Sequence, residues 1–394
     1  MSCKNCKSSK LKKVINIGKQ PISSHFYSNK KTNLRNYSLD LYECQYCKLI
    51  QLKDIAKLKD MYGLNYGYRT SLSPLMIGHM KRKAKKIFTP NFLKKKGNVL
   101  DIGSNDGTFL NFLSKNSNLK LYGIDPSAKK FQNYYKPKIN LIIDYFNKEK
   151  ILNKINKNIK FSLITSFAMF YDIEDPNKFC REINYLLEKD GKWILEISYF
   201  PLLLENLTYD QICHEHIAYY TLSTFKKIAN QNNLKILDFN LNNINGGSIE
   251  IICAKKNSKF ISKNNKIDNQ INIEKKINRI SFTKFNQRID NVKKLLNEFL
   301  ENNKSKVIGY GASTKGNIVL NLCDIDTALL PKICDANPEK YDLLTPGTNI
   351  TIISKEEMRT DNPDYLIVFI WHFRKEVLKD EYEYIMNGGK MIFV

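Results

Sequence analysis

Short apolar runs alternate with amphipathic segments through the middle of the chain. In 98-NVLDIGSNDGTFLNFLSK-115 an apolar run is followed by a turn that contains Gly103 and Gly107, and then by apolar residues at helical spacing. This order predicts a buried strand, a glycine turn and an amphipathic helix. Further strand-like stretches occur at 119–127, 141–146, 161–176 and 192–200. Such alternation is typical of an α/β fold whose ligands bind beyond the carboxyl ends of the strands.

The last third of the chain repeats this alternation. Apolar residues at steps of three or four predict a long amphipathic helix through Phe282, Phe285, Ile289, Val292, Leu296 and Phe299. Strand-like stretches follow at 306–311, 331–336, 364–370 and 390–394. We therefore predict a second Rossmann-like layer. The Lys- and Asn-rich stretch 255–278 between the two layers predicts a polar connector.

Four of the nine cysteines form two CxxC pairs near the start of the chain, and they are Cys3, Cys6, Cys44 and Cys47. Each pair directs two thiolates at one point, and two pairs supply the four sulfur ligands that Zn²⁺ prefers. The stretch 37–52 alternates as a ribbon hairpin does. A closed four-cysteine site leaves no position for water, so the expected zinc is structural and folds a small N-terminal domain.

Composition narrows the class of protein. The 394 residues are 42% hydrophobic and suffice for two or three domains. The formal charge of +24 would favour an anionic partner, but the lysines are spread along the chain without a dense basic block. We therefore expect no nucleic-acid partner. No apolar run reaches the length of a membrane span or signal peptide, so we expect a cytoplasmic protein without a membrane partner. An odd number of cysteines without a secretion signal predicts reduced thiols. We also expect a monomer.

The stretch 99-VLDIGSNDGTF-109 resembles motif I of class I S-adenosylmethionine-dependent methyltransferases. Asp101 precedes the first glycine, and Asp125 ends the second predicted strand, where a carboxylate can bind a ribose diol. The resemblance implies that Gly103 and Gly107 flank the methionine part of the cofactor, with Asp125 at the ribose. It also implies that Asp144 and Tyr145 lie near the adenine and that Ser166 and Phe167 lie beside the cofactor. The full expected cofactor set is Asp101, Gly103, Asn105, Gly107, Asp125, Asp144, Tyr145, Ser166 and Phe167.

His214, Glu215 and His216 follow the predicted fifth strand by a few residues and would lie over the mouth of the cofactor site. Their H-E-H spacing differs from the H-E-x-x-H of zinc proteases, and no third ligand is near in sequence, so a metal site is not favoured. A histidine held in the core is the alternative. A histidine accepts a proton near neutral pH, and a neighbouring carboxylate can stabilise the imidazolium, which favours a catalytic role.

The stretches 209-YDQICHEHIAYY-220, 243-NINGGS-248, 309-GYGASTKGN-317 and 363-PDYLIVFIWHFR-374, together with the cysteine pairs, cover most of the chain in order. They resemble the C-methyltransferases that act on nucleotide-linked keto-deoxysugars. The resemblance implies that His216 is the general base and that Glu215 lies beside it. A tyrosine at the end of the zinc domain maps to Tyr68, with Tyr66 as its competitor. Cys213 stands where the family has tyrosine.

We therefore predict domains at 1–75 (zinc-binding), 76–255 (methyltransferase) and 256–394 (Rossmann-like, substrate-binding). The glycine turn before Lys315 presents helix N–H groups to an anion, and we expect it to hold the nucleotide diphosphate of the substrate. The expected substrate-binding residues are His214, Tyr220, Asn245, Lys315 and His372. An O- or N-methyltransferase with the same site, and a zinc-ribbon RNA-binding protein with a vestigial methyltransferase fold, are the alternative functions.

Overall fold

A computed structural model describes residues 2–28, 34–57, 61, 69–89, 96–115 and 118–394, and the structural statements below concern these ranges. Its strands are β1 (Leu11–Ile15), β2 (Lys19–Pro21), β3 (Asn36–Ser38), β4 (Leu41–Cys44), β5 (Ile50–Leu52), β6 (Gly97–Ile102), β7 (Leu119–Ile124), β8 (Ile139–Ile142), β9 (Phe161–Phe167), β10 (Leu187–Ser198), β11 (Ala218–Tyr219), β12 (Leu234–Asn242), β13 (Ser248–Lys255), β14 (Val307–Tyr310), β15 (Lys332–Cys334), β16 (Thr351–Ile353), β17 (Tyr365–Val368) and β18 (Lys390–Phe393).

Its α-helices are α1 (Pro74–Ile87), α2 (Thr108–Leu113), α3 (Ala128–Phe131), α4 (Lys148–Lys154), α5 (Pro176–Leu186), α6 (Phe200–Glu205), α7 (Leu222–Gln231), α8 (Asn264–Glu274), α9 (Arg279–Asn303), α10 (Thr314–Leu322), α11 (Lys355–Asp361), α12 (Arg374–Asp380) and α13 (Tyr382–Met386). In the described ranges, no helix has both the length and the apolar character needed to cross a membrane.

The central sheet has the order β12-β13-β10-β9-β6-β7-β8. Strands β10, β9, β6, β7 and β8 run parallel, and β13 and β12 continue the sheet antiparallel. The order reverses at β6, which lies between β7 and β9, and a parallel sheet binds ligands at such a switch point. The glycine turn that follows β6 is therefore at the expected position for a cofactor.

Helix α1 is tied to the central sheet by a buried ion cluster. Lys83 Nζ lies 2.8 Å from Glu196 Oε2 and 2.5 Å from Glu250 Oε2, and His79 Nε2 lies 2.7 Å from Glu196 Oε1. The two carboxylates join neighbouring strands β10 and β13 to one helix. Lys83 also lies over the ring of Phe167 at the end of β9, 4.7 Å from its centroid. The cluster thus fixes α1 against the sheet, beside the end of β9.

The N-terminal sheet has the order β1-β4-β5-β11. The predicted ribbon hairpin is confirmed, because β4 and β5 pair antiparallel. Strand β11 comes from the segment directly after the H-E-H run, and Ala218 pairs with Gln51. Leu52 N also donates to Ile217 O at 3.0 Å. The zinc-binding region and the H-E-H run are therefore joined by backbone hydrogen bonds.

The C-terminal sheet is parallel, with the order β16-β15-β14-β17-β18. The predicted second Rossmann-like layer and the long helix α9 are confirmed, although β16 was not among the predicted strands. The stretch 255–278, which we expect to be a polar excursion or connector, contains the helix α8. Ile267 of α8 is buried, and the Glu274 carboxylate accepts from Leu222 N at 2.6 Å and Ser223 N at 2.9 Å. This carboxylate caps α7, so the helix is docked on the methyltransferase layer.

Candidate active site

The four N-terminal cysteines converge as the sequence predicts. Their sulfur atoms all lie within 4.8 Å of one another, with Cys3 to Cys47 and Cys6 to Cys44 both at 3.5 Å. Zn–S bonds of about 2.3 Å in a tetrahedron separate sulfurs by about 3.8 Å, so the cage fits zinc. The knuckles close through Lys7 N to Cys3 O and Lys48 N to Cys44 O, both 2.9 Å. The geometry offers a closed, structural site.

The turn after β6 is shaped so that glycine is needed at two positions. Gly103 has φ 74° and Gly107 has φ 73°, both in the left-handed region that side chains disfavour. A Cβ on Gly103 would lie 3.1 Å from Met169 Cγ, and one on Gly107 would lie 2.7 Å from the Tyr135 ring. The turn is thus a narrow backbone cradle, which fits the methionine part of S-adenosylmethionine.

Two carboxylates face this cradle. Asp125 Oδ2 accepts from Asn105 N at 2.8 Å, and Asp125 Oδ1 accepts from the N and Oγ of Ser127, both at 2.6 Å. Burial raises the pKa of Asp101 to about 7, against a hydrogen bond of 2.6 Å from Thr165 Oγ1. A cationic ligand nearby would favour the ionised form of Asp101. The donor set therefore suits a sulfonium cofactor with a ribose diol.

The other expected cofactor residues occupy different surroundings. The Ser166 hydroxyl accepts from Trp193 Nε1 at 2.9 Å inside the core, whereas the Phe167 ring packs edge-on against Phe109 with centroids 5.0 Å apart. Asp144 pairs with Lys150 at 2.5 Å at the surface. Tyr145 is 40% exposed. Tyr145 and Phe167 lie beyond the ends of β8 and at the end of β9, so their side chains can face a ligand at that edge.

A short turn at Thr70–Leu72 covers the glycine turn from outside. Thr70 N donates to Asn105 Oδ1 at 2.9 Å, and Ser71 N donates to Asp106 Oδ2 at 2.9 Å. Sequence analysis did not single out these two residues, because they lie 35 positions from their partners. Tyr68 and Tyr66 lie outside the described residues, so the expected role of Tyr68 stays a prediction.

Asp125→Ala should weaken S-adenosylmethionine binding about ten- to hundredfold. The reason is the loss of the ribose hydrogen bonding to a charged acceptor, which is about 1.5–3 kcal/mol in total. Titration calorimetry measures this loss directly. Asp125→Asn keeps one oxygen acceptor and serves as the matched control, with a smaller expected loss. Equal affinity of Asp125→Ala and the unaltered protein would show that the ribose binds elsewhere.

The H-E-H run is a turn and not an extended segment. His216 N donates to Cys213 O at 3.2 Å, which closes the turn and directs His214 and His216 to different surroundings. The His214 ring is buried against Tyr37, with Nε2 3.2 Å from Gln20 O and Nδ1 3.4 Å from Ser23 Oγ. Both nitrogens are therefore occupied within the protein, since Nε2–H must donate to the carbonyl.

His216 has one occupied and one available nitrogen. Its Nδ1 lies 2.8 Å from Gln211 O, and because a carbonyl only accepts, Nδ1 carries the proton and Nε2 keeps its lone pair. Nε2 has no hydrogen-bond partner among the described residues. Burial, followed by the charge of Lys315, lowers the pKa of His216 to about 3. The imidazole is consequently neutral at pH 7, which is the form that can accept a proton.

Glu215 lies beside this ring in sequence. One carboxylate oxygen accepts from Ser24 Oγ at 3.0 Å, and the other is buried without a partner among the described residues. Tyr171 stacks on the His216 ring with centroids 4.0 Å apart. Ser24 and Tyr171 are site residues that the sequence analysis missed. The 191 positions between Ser24 and Glu215 leave no local signal in the sequence.

The C-terminal layer supplies the opposite side of the site. Lys315 Nζ and His372 Nδ1 are buried without partners among the described residues, as are both carboxylate oxygens of Asp210. The charge of Lys315 lowers the pKa of His372 as well as that of His216, after burial in both cases. Lys315, His372 and His216 are thus brought together from two layers. Asp210 was missed, although it lies within the quoted run 209–220.

The two remaining expected substrate residues differ in position. Asn245 is half-buried with φ 53°, and its carbonyl accepts from Gln211 Nε2, so it supports the residue that holds His216. Tyr220 is buried in the core, with its ring 5.1 Å from that of Phe170. Its hydroxyl has no partner among the described residues.

Comparisons with known proteins agree with this arrangement. A zinc-binding domain family matches residues 3–62, a methyltransferase domain family matches residues 76–238, and the C-methyltransferase C-terminal domain family matches residues 243–394. The chain is 24% identical over 398 residues to the C-methyltransferase NovU of Streptomyces niveus, an alignment that covers 99% of this chain and 94% of that protein.

A shorter match is to ribosomal RNA small subunit methyltransferase A of Phytoplasma australiense, 32% identical over 110 residues, covering 23% of this chain and 39% of that protein. Among solved structures, the plantazolicin methyltransferase BpumL with S-adenosylhomocysteine matches with a TM-score of 0.36 and 16% identity, covering 45% of this chain and 82% of that chain. The family matches and the full-length relative decide the assignment. The chain is an S-adenosylmethionine-dependent methyltransferase that matches, in order along the sequence, a zinc-binding domain, a methyltransferase domain and a C-methyltransferase C-terminal domain.

Proposed function

We propose that this enzyme methylates a carbon next to the ketone of a nucleotide-linked keto-deoxysugar, with His216 as the general base. The observation that carries the proposal is the hydrogen bond of 2.8 Å from His216 Nδ1 to Gln211 O. It fixes the tautomer with the lone pair on Nε2. That nitrogen lies in the region where the methyltransferase layer meets Lys315 and His372 of the C-terminal layer.

The chemistry asks for a ketone. Imidazole is far too weak a base for an unactivated C–H bond, whereas a neighbouring carbonyl can take up the electron pair. The proton passes to His216 Nε2, the C–H electron pair forms the C=C bond of an enolate, and the ketone oxygen becomes negative. S-adenosylmethionine, when bound, supplies the methyl group that the enolate carbon accepts.

The charges of the site support a proton transfer that needs the substrate. With a pKa of about 3, His216 is a weak base in the free protein. The negative charge that develops on the enolate would stabilise the imidazolium and raise its basicity as the proton moves.

We assign the binding of the nucleotide part of the substrate to the C-terminal layer. The glycine turn 309–313 leads into the N-terminus of α10, where Ser313 caps Gly316 N at 3.0 Å. Backbone N–H groups at such a terminus favour phosphate oxygens. The match of residues 243–394 to the C-methyltransferase C-terminal domain supports a shared binding mode with that family.

Hydrogen exchange tests the reaction without methyl transfer. In D₂O, with S-adenosylhomocysteine in place of the methyl donor, we expect one deuterium to enter the substrate beside the ketone. A panel of nucleotide-linked 4-keto-deoxysugars and mass spectrometry of the products identifies the sugar when the donor is present. A methylated product that keeps its C–H bond beside the ketone would instead establish O- or N-methylation.

A further inference from the structure

Lys315 carries a buried amino group that the described residues do not satisfy. It is the second residue of α10, and its Nζ is buried without a hydrogen-bond partner among the described residues. An ammonium group has three donors, and burying it unpaired is strongly unfavourable. A ligand that enters the site would supply the missing acceptor.

The surroundings of Lys315 place it beside the reacting centre. Helix α10 packs against the turn at Tyr209–Gln211, and the same turn provides the Gln211 carbonyl that holds His216. Burial lowers the pKa of Lys315, and the charge of Asp210 in this turn, followed by that of Cys213, opposes the shift. The ammonium therefore lies among the turn, the base and His372.

Asp210 and Lys315 attract each other without forming an ion pair. All three of their charged atoms, the two carboxylate oxygens and Nζ, are without hydrogen-bond partners among the described residues. The two side chains are therefore separated by more than a hydrogen bond. A polar group of the substrate can lie between them and accept from Nζ.

A ketone oxygen fits this position better than a diphosphate. Burial raises the pKa of Asp210, against the charge of Lys315, and a phosphate beside it would disfavour the carboxylate further. A ketone oxygen is neutral when it binds and becomes negative only as the proton leaves. A fixed cation at this position therefore stabilises the transition state more than the ground state.

We propose that Lys315 is a further catalytic residue, whose ammonium donates to the ketone oxygen and stabilises the enolate, with Asp210 as its positioning residue. The inference rests on the proposed function. As His216 Nε2 takes the proton, the C–H pair forms C=C, the carbonyl π pair moves to oxygen, and Lys315 binds that oxyanion without losing its proton. On methyl transfer the C=C pair forms the new C–CH₃ bond, an oxygen pair re-forms C=O, and the pair of the broken C–S bond stays on sulfur. The diphosphate is then left to the backbone of the α10 terminus.

Lys315→Met tests this role, because methionine keeps the length of the side chain and removes its charge. We expect deuterium exchange with S-adenosylhomocysteine and kcat for methylation both to fall about 10²–10³-fold, as for loss of one oxyanion donor, while KM for the nucleotide sugar changes little. A rise in KM with kcat retained at saturation would overturn the inference in favour of diphosphate binding.

Lys332→Met is the matched control. Lys332 lies in the same layer, and its ammonium already binds Glu357 at 3.0 Å and Asp361 at 2.7 Å. We expect it to keep both rates. Thermal melting and S-adenosylmethionine binding monitor the fold of each variant, and we expect Lys315→Met to melt no lower than the unaltered protein, because it removes an unpaired buried charge.

Asp210→Asn separates positioning from mere packing. Asp210 and Cys213 hold the pKa of Lys315 up against burial, and His216 and His372 also face its charge. Without the Asp210 carboxylate, Lys315 should lose its proton at lower pH, so the alkaline limb of the exchange rate should move to lower pH. An unmoved limb would remove Asp210 from the proposal.

The outcomes distinguish the two levels of inference. If the unaltered enzyme exchanges no proton in any nucleotide-linked 4-keto-deoxysugar, the proposed function itself fails. If it exchanges the proton and Lys315→Met does so at the same rate, the proposed function stands and the role of Lys315 is refuted.

Discussion

His216→Asn is expected to lose about 10²–10⁴-fold in kcat, the contribution that general base catalysis typically makes. Asparagine can still donate toward Gln211 O, which accepts from His216 Nδ1 at 2.8 Å, but it has no basic nitrogen. The fold and S-adenosylmethionine affinity should therefore be retained. Steady-state kinetics and titration calorimetry on the same preparation give both quantities.

Two neighbouring variants sharpen this result. Glu215→Gln should lower kcat less, because Glu215 does not itself take the proton. His214→Asn should act mainly on thermal stability, since both of its ring nitrogens are bound to Gln20 and Ser23. Deuterium exchange that persists in His216→Asn would show that another residue is the base, and Tyr68 would be the next candidate.

The central sheet and the cofactor turn could be predicted from the sequence because local physics determines them. The apolar run 98–102 can only be a buried strand in this context, and it is β6. Gly103 and Gly107 have a left-handed φ, and this local conformation favours glycine, so the glycines in the sequence indicate the turn. The cysteine pairs likewise predict the four-sulfur site, since CxxC spacing places two sulfurs together whatever surrounds them.

The geometry around His216 could not be predicted, because contacts distant in sequence determine it. His214 is turned away by Gln20, 194 positions earlier, and Glu215 is bound by Ser24, 191 positions earlier. Helix α8 was also not predicted. Its buried positions, Ile267 and Glu274, are seven residues apart and surrounded by Lys and Asn, so the helical periodicity carried too few apolar residues to be recognised.

Cys44→Ser is expected to abolish zinc binding and unfold the N-terminal sheet. Its strands have three to five residues apart from β11, which has two, and so bury little apolar surface. A structural zinc site contributes about 10–16 kcal/mol of apparent binding free energy in zinc-finger peptides. The unaltered protein should contain about one zinc per chain by metal analysis. Cys323→Ser, which changes a buried cysteine of the C-terminal layer, is the control and should keep the metal.

The loss should extend to activity, because the zinc-binding region holds the catalytic turn. Strand β11, which begins two residues after His216, pairs with β5. From the same region, Ser24 binds Glu215 and Gln20 binds His214. In Cys44→Ser, amide hydrogen exchange should therefore rise at 11–52 and at 213–219 together, while S-adenosylmethionine still binds the central sheet. Fast exchange at 11–52 with 213–219 still protected would show that the turn holds itself. Freshly purified, chelator-free protein without zinc would refute the metal site.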